Sequence, residues 1–225
     1  MVKLVLFDID GTLIHTHRAG VRAFGCAFHN TFGIDDATDG VRFAGRTDTG
    51  ILREICQRHR VMPTLENFRR FFDAYVFWLE HLLHEHGGGA LPGVGSFLDE
   101  LRQLPEPPVI GLLTGNVRLG AEIKLRHFAL WEHFTLGAFG DDHENRNELA
   151  AIAVRRGRRL LNRHRHGDDV LVIGDTPLDI ECAHAIGARC LAVATGGVAL
   201  DELKSHRARW VVEDLRAIGA KEVCR

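Results

Sequence analysis

The stretch LVLFDIDGT, residues 4–12, decides the fold. Its four consecutive apolar residues predict a short strand buried on both faces, because a strand with one solvated face would alternate apolar and polar residues. Asp8 and Asp10 follow at once, and alternate residues of an extended chain point to the same side. Gly11 then permits a sharp turn. We therefore expect two carboxylates side by side where the first strand ends.

Similar apolar runs recur along the chain. They occupy residues 109–113, 135–139, 170–173, 189–193 and 210–212. Between them, apolar residues recur at helical spacing, as in residues 94–101, 119–125 and 149–161. Strands that alternate with helices are typical of parallel sheets. The pattern predicts an α/β fold, with a doubly wound, Rossmann-like parallel sheet as its core.

One long stretch interrupts this alternation. Residues 16–85 contain no good strand pattern, and they contain most of the phenylalanines. Three helical patterns lie there, and the last begins at Leu65. Three glycines at residues 87–89 form a flexible joint after them. We therefore expect an inserted α-helical cap domain at residues 16–87 and an α/β core made of residues 1–15 and 88–225.

The composition limits the classes of function. The chain has 225 residues and a formal net charge of -2, which gives no general electrostatic basis for binding nucleic acid. The basic run at residues 155–165 is interpreted as a solvated helix face. The apolar runs are far shorter than the ~18 residues of a membrane-spanning helix. Five scattered cysteines fit a reducing compartment. We expect a cytoplasmic protein that binds neither nucleic acid nor membranes.

Polar residues follow several of the predicted strands directly. Thr114, Gly115 and Asn116 follow the second strand, and Asp175 and Asp179 follow the strand at residues 170–173. In open parallel sheets, ligands bind beyond the carboxyl ends of the strands. Carboxylates that meet there repel one another unless a cation neutralises them. Oxygen ligands without cysteine or histidine suit Mg²⁺, so the sequence predicts a magnesium site.

These motifs carry a family resemblance. The segments FDIDGTL (7–13) and LTGN (113–116), with Gly174-Asp175 and Asp179, resemble motifs one, two and four of the haloacid dehalogenase superfamily. The segment LPGV (91–94) is similar to the return from a helical cap in the phosphoglycolate-phosphatase-like branch. The resemblance spans nearly the whole chain, with the motifs in the right order.

The resemblance implies a role for each motif residue. Asp8 would attack a phosphate monoester and become an aspartyl-phosphate, and Asp10 would act as general acid and then as general base. Thr114 would hold phosphate oxygens, with Gly115 and Asn116 as substrate-binding residues. Mg²⁺ would bind Asp8, the backbone carbonyl of Asp10, and Asp175. Asp179 would bind the metal or its water.

The third motif departs from the family pattern. Many relatives carry a lysine upstream of the later acidic motif, and Arg146 stands at the matching position here. An arginine can replace it chemically, because its guanidinium is always charged and binds phosphate oxygens. Lys124, on the helix after the second motif, is the alternative for the same role.

A segment of the cap is also a candidate for substrate binding. Arg46, in the sequence GRTDT (45–49), could bind a carboxylate or a second phosphate of the substrate. The same segment also fits the start of a helix with Thr47 as its N-cap.

The residues discriminate among the reactions of the superfamily. Asp10 disfavours dehalogenation, because a halide leaves without a proton. Phosphonate hydrolysis would need a lysine in the cap, and residues 16–85 contain none. We expect Mg²⁺-dependent hydrolysis of a small phosphorylated metabolite, similar to that by phosphoglycolate phosphatase. The alternatives are a phosphomutase acting on a sugar phosphate and a homologue that binds ligand but has lost turnover.

Overall fold

The structure is a computed structural model that describes residues 1–161 and 169–225. The strands are β1 (Leu4–Phe7), β2 (Ile14–His15), β3 (Gly89–Ala90), β4 (Val109–Leu113), β5 (Leu136–Ala138), β6 (Val170–Gly174), β7 (Arg189–Val193) and β8 (Trp210–Val212). The helices are α1 (Ala19–Phe32), α2 (Asp48–Arg58), α3 (Leu65–His86), α4 (Val94–Gln103), α5 (Arg118–His127), α6 (Arg146–Leu161), α7 (Pro177–Ala185), α8 (Leu200–Ser205) and α9 (Ala220–Val223). Residues 162–165 of the basic run lie outside the described residues.

A six-stranded sheet forms the core, in the order β5-β4-β1-β6-β7-β8. All five pairings between neighbouring strands are parallel. β1 lies in the middle, where Phe7 pairs in register with Leu112 of β4 and with Ile173 of β6. The predicted α/β doubly wound core is confirmed. This order places the carboxyl ends of β1, β4 and β6 side by side.

Helices cover both faces of the sheet. Val5 and Phe7 of β1 pack in one apolar cluster with residues of α4, α5 and α9. Leu4 and Leu6 pack in a second cluster with residues of α6, α7 and α8. Because successive side chains of a strand point to opposite faces, both faces of β1 are buried, and this explains its continuous apolar sequence.

The interrupting stretch is helical. Residues 16–88, all of which the structure describes, contain α1, α2 and α3 and no strand. These helices share their own apolar cluster, in which the ring of Phe24 packs edge-to-face on Phe71 and Tyr75. The two connections to the core meet where β2 pairs antiparallel with β3. Gly88 lies beside this pair of strands, and no side chain fits there, because its φ is +130° and a Cβ atom would lie 2.2 Å from the His15 carbonyl oxygen. The domain boundaries at residues 16 and 87 stay a prediction.

In the part of the chain that the structure describes, we find no helix with the length and apolar character needed to cross a membrane.

Candidate active site

A cavity of about 440 Å³ lies between the carboxyl edge of the sheet and the cap. β1, β4 and β6 end there, and they bring Asp8, Thr114 and Asp175 to its floor. The cap contributes apolar and aromatic side chains together with three charged ones, and they include Val21, Phe24, Phe43, Ile51, Tyr75, Arg18, Arg46 and Asp48. Of the residues that the sequence analysis singled out at the strand ends, Asp8, Thr114 and Asp175 therefore line one cavity, whereas Asp179 does not line it.

Three carboxylates form an acidic cluster in this site. Asp8, Asp175 and Asp179 are all buried, and each offers an oxygen within 4.8 Å of the other two. Burial raises the pKa of Asp8 to about 6, although the nearby Arg146 opposes that shift. Burial also raises the pKa of Asp175 well above its usual range, and the charges of Asp179 and Asp8 add to the effect. Such a cluster needs a cation to remain ionised.

Arg146 supplies one such charge. It is the first residue of α6 and is 8% exposed. One guanidinium nitrogen lies 3.1 Å from Asp8 Oδ1, contacts Asp179 Oδ1, and donates to the Leu113 carbonyl at 3.3 Å. Arg146 therefore joins the acidic cluster to the end of β4.

Asp179 also has a structural role. Its Oδ2 accepts hydrogen bonds from the Thr176 backbone N–H at 3.0 Å and from the Thr176 hydroxyl at 2.6 Å. This arrangement caps the N-terminus of α7. Because one oxygen serves the cap and the other contacts Arg146, Asp179 is rigidly held beside Asp8 and Asp175.

Asp10 lies in a different electrostatic environment from Asp8. Its side chain is 42% exposed, and its Oδ2 accepts from Lys124 Nζ at 2.6 Å and from the Asn116 amide at 2.8 Å. Lys124 also donates to Asn116 Oδ1 at 2.6 Å, and the Asn116 amide donates to Thr114 Oγ1 at 2.9 Å. The sequence analysis left Lys124 and Arg146 as alternatives for the cation of the third motif. The structure places both in the site, where Lys124 contacts Asp10 and Arg146 contacts Asp8.

Arg46 lies in the cavity wall with its charge engaged. Its guanidinium contacts Glu54 at 2.7 Å and donates to the Arg42 carbonyl at 3.1 Å. The interpretation of this segment as a helix start is confirmed, because Thr47 Oγ1 accepts from the Gly50 backbone N–H at the beginning of α2. Substrate binding by Arg46 stays a prediction, and it would require Arg46 to exchange Glu54 for a ligand.

The sequence analysis did not single out Thr12 or Asp48 as residues of the site. Thr12 donates its hydroxyl hydrogen to Asp175 Oδ1 at 2.9 Å. Asp48, in the first turn of α2, lines the cavity, and burial raises its pKa to about 7 while Lys124 opposes the shift. Both residues stand in segments that the sequence analysis quoted. Their partners are distant in sequence, so spacing alone could not have identified the contacts.

The donor set of the acidic cluster fits Mg²⁺. The cluster offers carboxylate oxygens only, and Mg²⁺ prefers one or two carboxylates together with water and phosphate oxygens. Asp8 and Asp175 could hold the ion directly, and Asp179 could hold the ion or one of its waters. The backbone carbonyl of Asp10 as a ligand stays a prediction.

Comparison with known proteins agrees with this geometry. The sequence profile of the haloacid dehalogenase-like hydrolase family matches residues 5–193. A relative from Dickeya dadantii (strain 3937), named Probable phosphatase IndB, is 27% identical over 222 residues, which cover 95% of this chain and 90% of the relative.

Solved structures share the fold. A hydrolase from Pseudomonas syringae superposes with a TM-score of 0.73 at 24% identity, over 96% of this chain and 94% of that one. A protein described as a predicted phosphoglycolate phosphatase from Haemophilus somnus superposes with a TM-score of 0.71 at 16% identity, over 95% of each chain. Because the family profile spans most of the chain and includes every motif at the sheet edge, the chain belongs to the haloacid dehalogenase-like hydrolase family.

Proposed function

We propose that the chain is a Mg²⁺-dependent phosphatase of small phosphate monoesters that acts through an aspartyl-phosphate on Asp8. The observation that carries this proposal is the contrast between its two neighbouring aspartates. Asp8 is buried beside Arg146, whereas Asp10 is partly exposed and held by Lys124 and Asn116. Asp8 shares the acidic cluster with Asp175 and Asp179, so a cation bound there would keep it ionised for nucleophilic attack. Asp10 lies outside that cluster, which leaves it for proton transfer.

The first half of the reaction transfers the phosphoryl group. A carboxylate oxygen of Asp8 forms a bond to phosphorus, and the bond from phosphorus to the ester oxygen breaks. Asp10 gives its proton to the departing oxygen, so that the product leaves as an alcohol. Thr114 and the Gly115 N–H hold phosphate oxygens, and the guanidinium of Arg146 stabilises the negative charge around Asp8.

The second half releases phosphate. A water oxygen attacks phosphorus, Asp10 accepts the proton of that water, and the bond between phosphorus and Asp8 breaks. Inorganic phosphate leaves and Asp8 is regenerated. Mg²⁺ held by Asp8 and Asp175 would neutralise charge on the transferring phosphoryl group throughout.

The size and walls of the cavity support a small substrate. A volume of about 440 Å³ is within the range of small-molecule pockets. The cap covers the sheet edge, so a folded phosphoprotein would not enter. We propose a small phosphorylated metabolite, with phosphoglycolate as one compound to test.

The test is hydrolysis of p-nitrophenyl phosphate and a panel of metabolite esters, with Mg²⁺ and with a chelator. We expect multiple turnovers that need Mg²⁺, a protein mass increased by one phosphoryl group after quenching, and loss of both in Asp8→Asn. Asp201→Asn, at an exposed position in α8, serves as a matched control with full activity. A sugar phosphate isomerised without release of phosphate would favour the phosphomutase, and ligand binding without turnover would favour the inactive homologue.

A further inference from the structure

Residues 114–117, here named the phosphate loop, contact one residue of the cap twice. The Asp48 backbone N–H donates to the Gly115 carbonyl at 2.8 Å. Asp48 Oδ2 accepts from the Val117 backbone N–H at 2.9 Å. A single cap residue therefore holds the phosphate loop at two points, on either side of Asn116.

The packing around Gly115 leaves the phosphate loop little room to move. A Cβ atom at Gly115 would lie 2.0 Å from the Arg46 carbonyl oxygen, so the cap backbone touches the loop directly. On the other side, a Cβ atom at Gly140 would lie 2.1 Å from the Gly115 carbonyl oxygen. Because a peptide unit is planar, fixing this carbonyl also fixes the orientation of the Asn116 N–H.

The helix that carries Asp48 does not need the Asp48 carboxylate for its own N-terminus. Thr47 already caps α2 by accepting from the Gly50 N–H at 3.2 Å. Asp48 is 8% exposed, and burying a carboxylate is unfavourable unless hydrogen bonds compensate for the lost water. Its bond to Val117 provides such compensation, and it connects the cap with the core.

We propose that Asp48 is a positioning residue, whose carboxylate holds the phosphate loop in the shape that binds phosphate tightly. This inference rests on the proposed phosphatase function, which assigns phosphate binding to Thr114 and Gly115. It adds a cap residue that affects phosphate binding through the phosphate loop and does not itself contact the phosphate.

The test compares variants that break different contacts between cap and core. Asp48→Ala removes the acceptor of the Val117 N–H, whereas Asp48→Asn keeps a carbonyl oxygen in its place. Arg53→Ala is the matched control, because Arg53 binds Glu144 at 2.7 Å and holds the cap to the core without contacting the phosphate loop. Val117→Pro removes the donor instead, at a φ of −61° that proline adopts.

The probe is inorganic phosphate, titrated calorimetrically in the presence of Mg²⁺, and KM and kcat for p-nitrophenyl phosphate are measured in parallel. We expect Asp48→Ala and Val117→Pro to weaken phosphate binding by about 10-fold to 100-fold, the effect of leaving a buried group unpaired. KM should rise by a similar factor, and kcat should change less. Asp48→Asn and Arg53→Ala should stay within about threefold of the unmodified protein.

Equal weakening in Asp48→Ala and Arg53→Ala would overturn the inference, because the effect would then come from docking alone. Unchanged phosphate binding in both Asp48→Ala and Val117→Pro, or no recovery in Asp48→Asn, would also overturn it. Thermal unfolding identifies any variant that fails to fold, and the other variant at the same contact then decides. If the unmodified protein binds phosphate but hydrolyses no ester, the proposed function fails while the inference is judged on binding. A folded protein that binds no phosphate refutes both.

Discussion

Arg146 and Lys124 contact different carboxylates, so replacing each with methionine is expected to impair different parts of the reaction. The Arg146 guanidinium lies 3.1 Å from Asp8 Oδ1, and both side chains are 7% exposed. At that distance and an effective dielectric constant of about 20, their attraction is about 5 kcal/mol. Removing one preorganised donor of this kind from an active site typically costs about 10²-fold to 10³-fold in rate. We expect Arg146→Met to lose that much in kcat/KM for every ester.

Lys124→Met should instead depend on the leaving group. Lys124 contacts Asp10, which is proposed to protonate the departing oxygen. Water partly screens the attraction between the two charges, because the Asp10 side chain is 42% exposed. An alkoxide needs this proton, whereas p-nitrophenolate is stable without it. We therefore expect a loss of about 10²-fold in kcat/KM for an alkyl phosphate such as glycerol phosphate and less than about tenfold for p-nitrophenyl phosphate.

The assay is kcat/KM for both esters at saturating Mg²⁺, because this parameter covers the steps up to the loss of the leaving group. Lys204→Met, at an exposed position in α8, is a matched control that should leave both values unchanged. The reasoning is refuted if Lys124→Met lowers both esters equally, or if Arg146→Met changes their ratio.

Three further predictions concern stability and specificity. The folded protein retains the proton of Asp48 up to a pKa of about 7, whereas the unfolded chain releases it near 3.8, so this residue lowers the free energy of unfolding as pH rises between those values. Denaturant unfolding should therefore show that the free energy of unfolding of Asp48→Asn, relative to that of the unmodified protein, rises by about 3 kcal/mol between pH 5 and pH 8. A difference that stays constant with pH would contradict this pKa. Mg²⁺ at about 100 times its Kd should raise Tm by about 5 to 10 °C, and calorimetric scans should find this rise abolished in Asp175→Asn. Glu54→Ala should release the Arg46 guanidinium and lower KM for esters that carry a second anionic group but not for p-nitrophenyl phosphate, and steady-state kinetics that show equal changes for both would argue against substrate binding by Arg46.

The core was predictable because its strands are buried on both faces. The continuous apolar run before Asp8 belongs to β1, whose alternate residues face separate apolar clusters. The ends of elements were less predictable. Leu65 begins the apolar pattern of the third cap helix, yet it is 81% exposed as the first residue of α3. Helical periodicity identifies the apolar face of a helix, but it does not show where packing against that face begins.

The carboxylates at the strand ends were predictable for a related reason. Residues that follow parallel strands meet at one edge of the sheet, and Asp8 and Asp175 follow neighbouring strands. No such rule predicts where the side chains of residues on helices meet. Lys124 and Arg146 start from α5 and α6, and helical spacing alone does not show which carboxylate each one reaches.

The sequence by itself therefore determined the type of sheet, the inserted helical segment and the carboxylates that follow β1 and β6, because burial and strand direction are recorded in local patterns. The tertiary structure decided which charges pair, with Arg146 on Asp8 and Lys124 on Asp10. It also decided that Asp48 of the cap reaches Val117 of the core. Such contacts depend on distances of a few ångströms between segments far apart in the chain, and those distances are set only when the helices pack on the sheet.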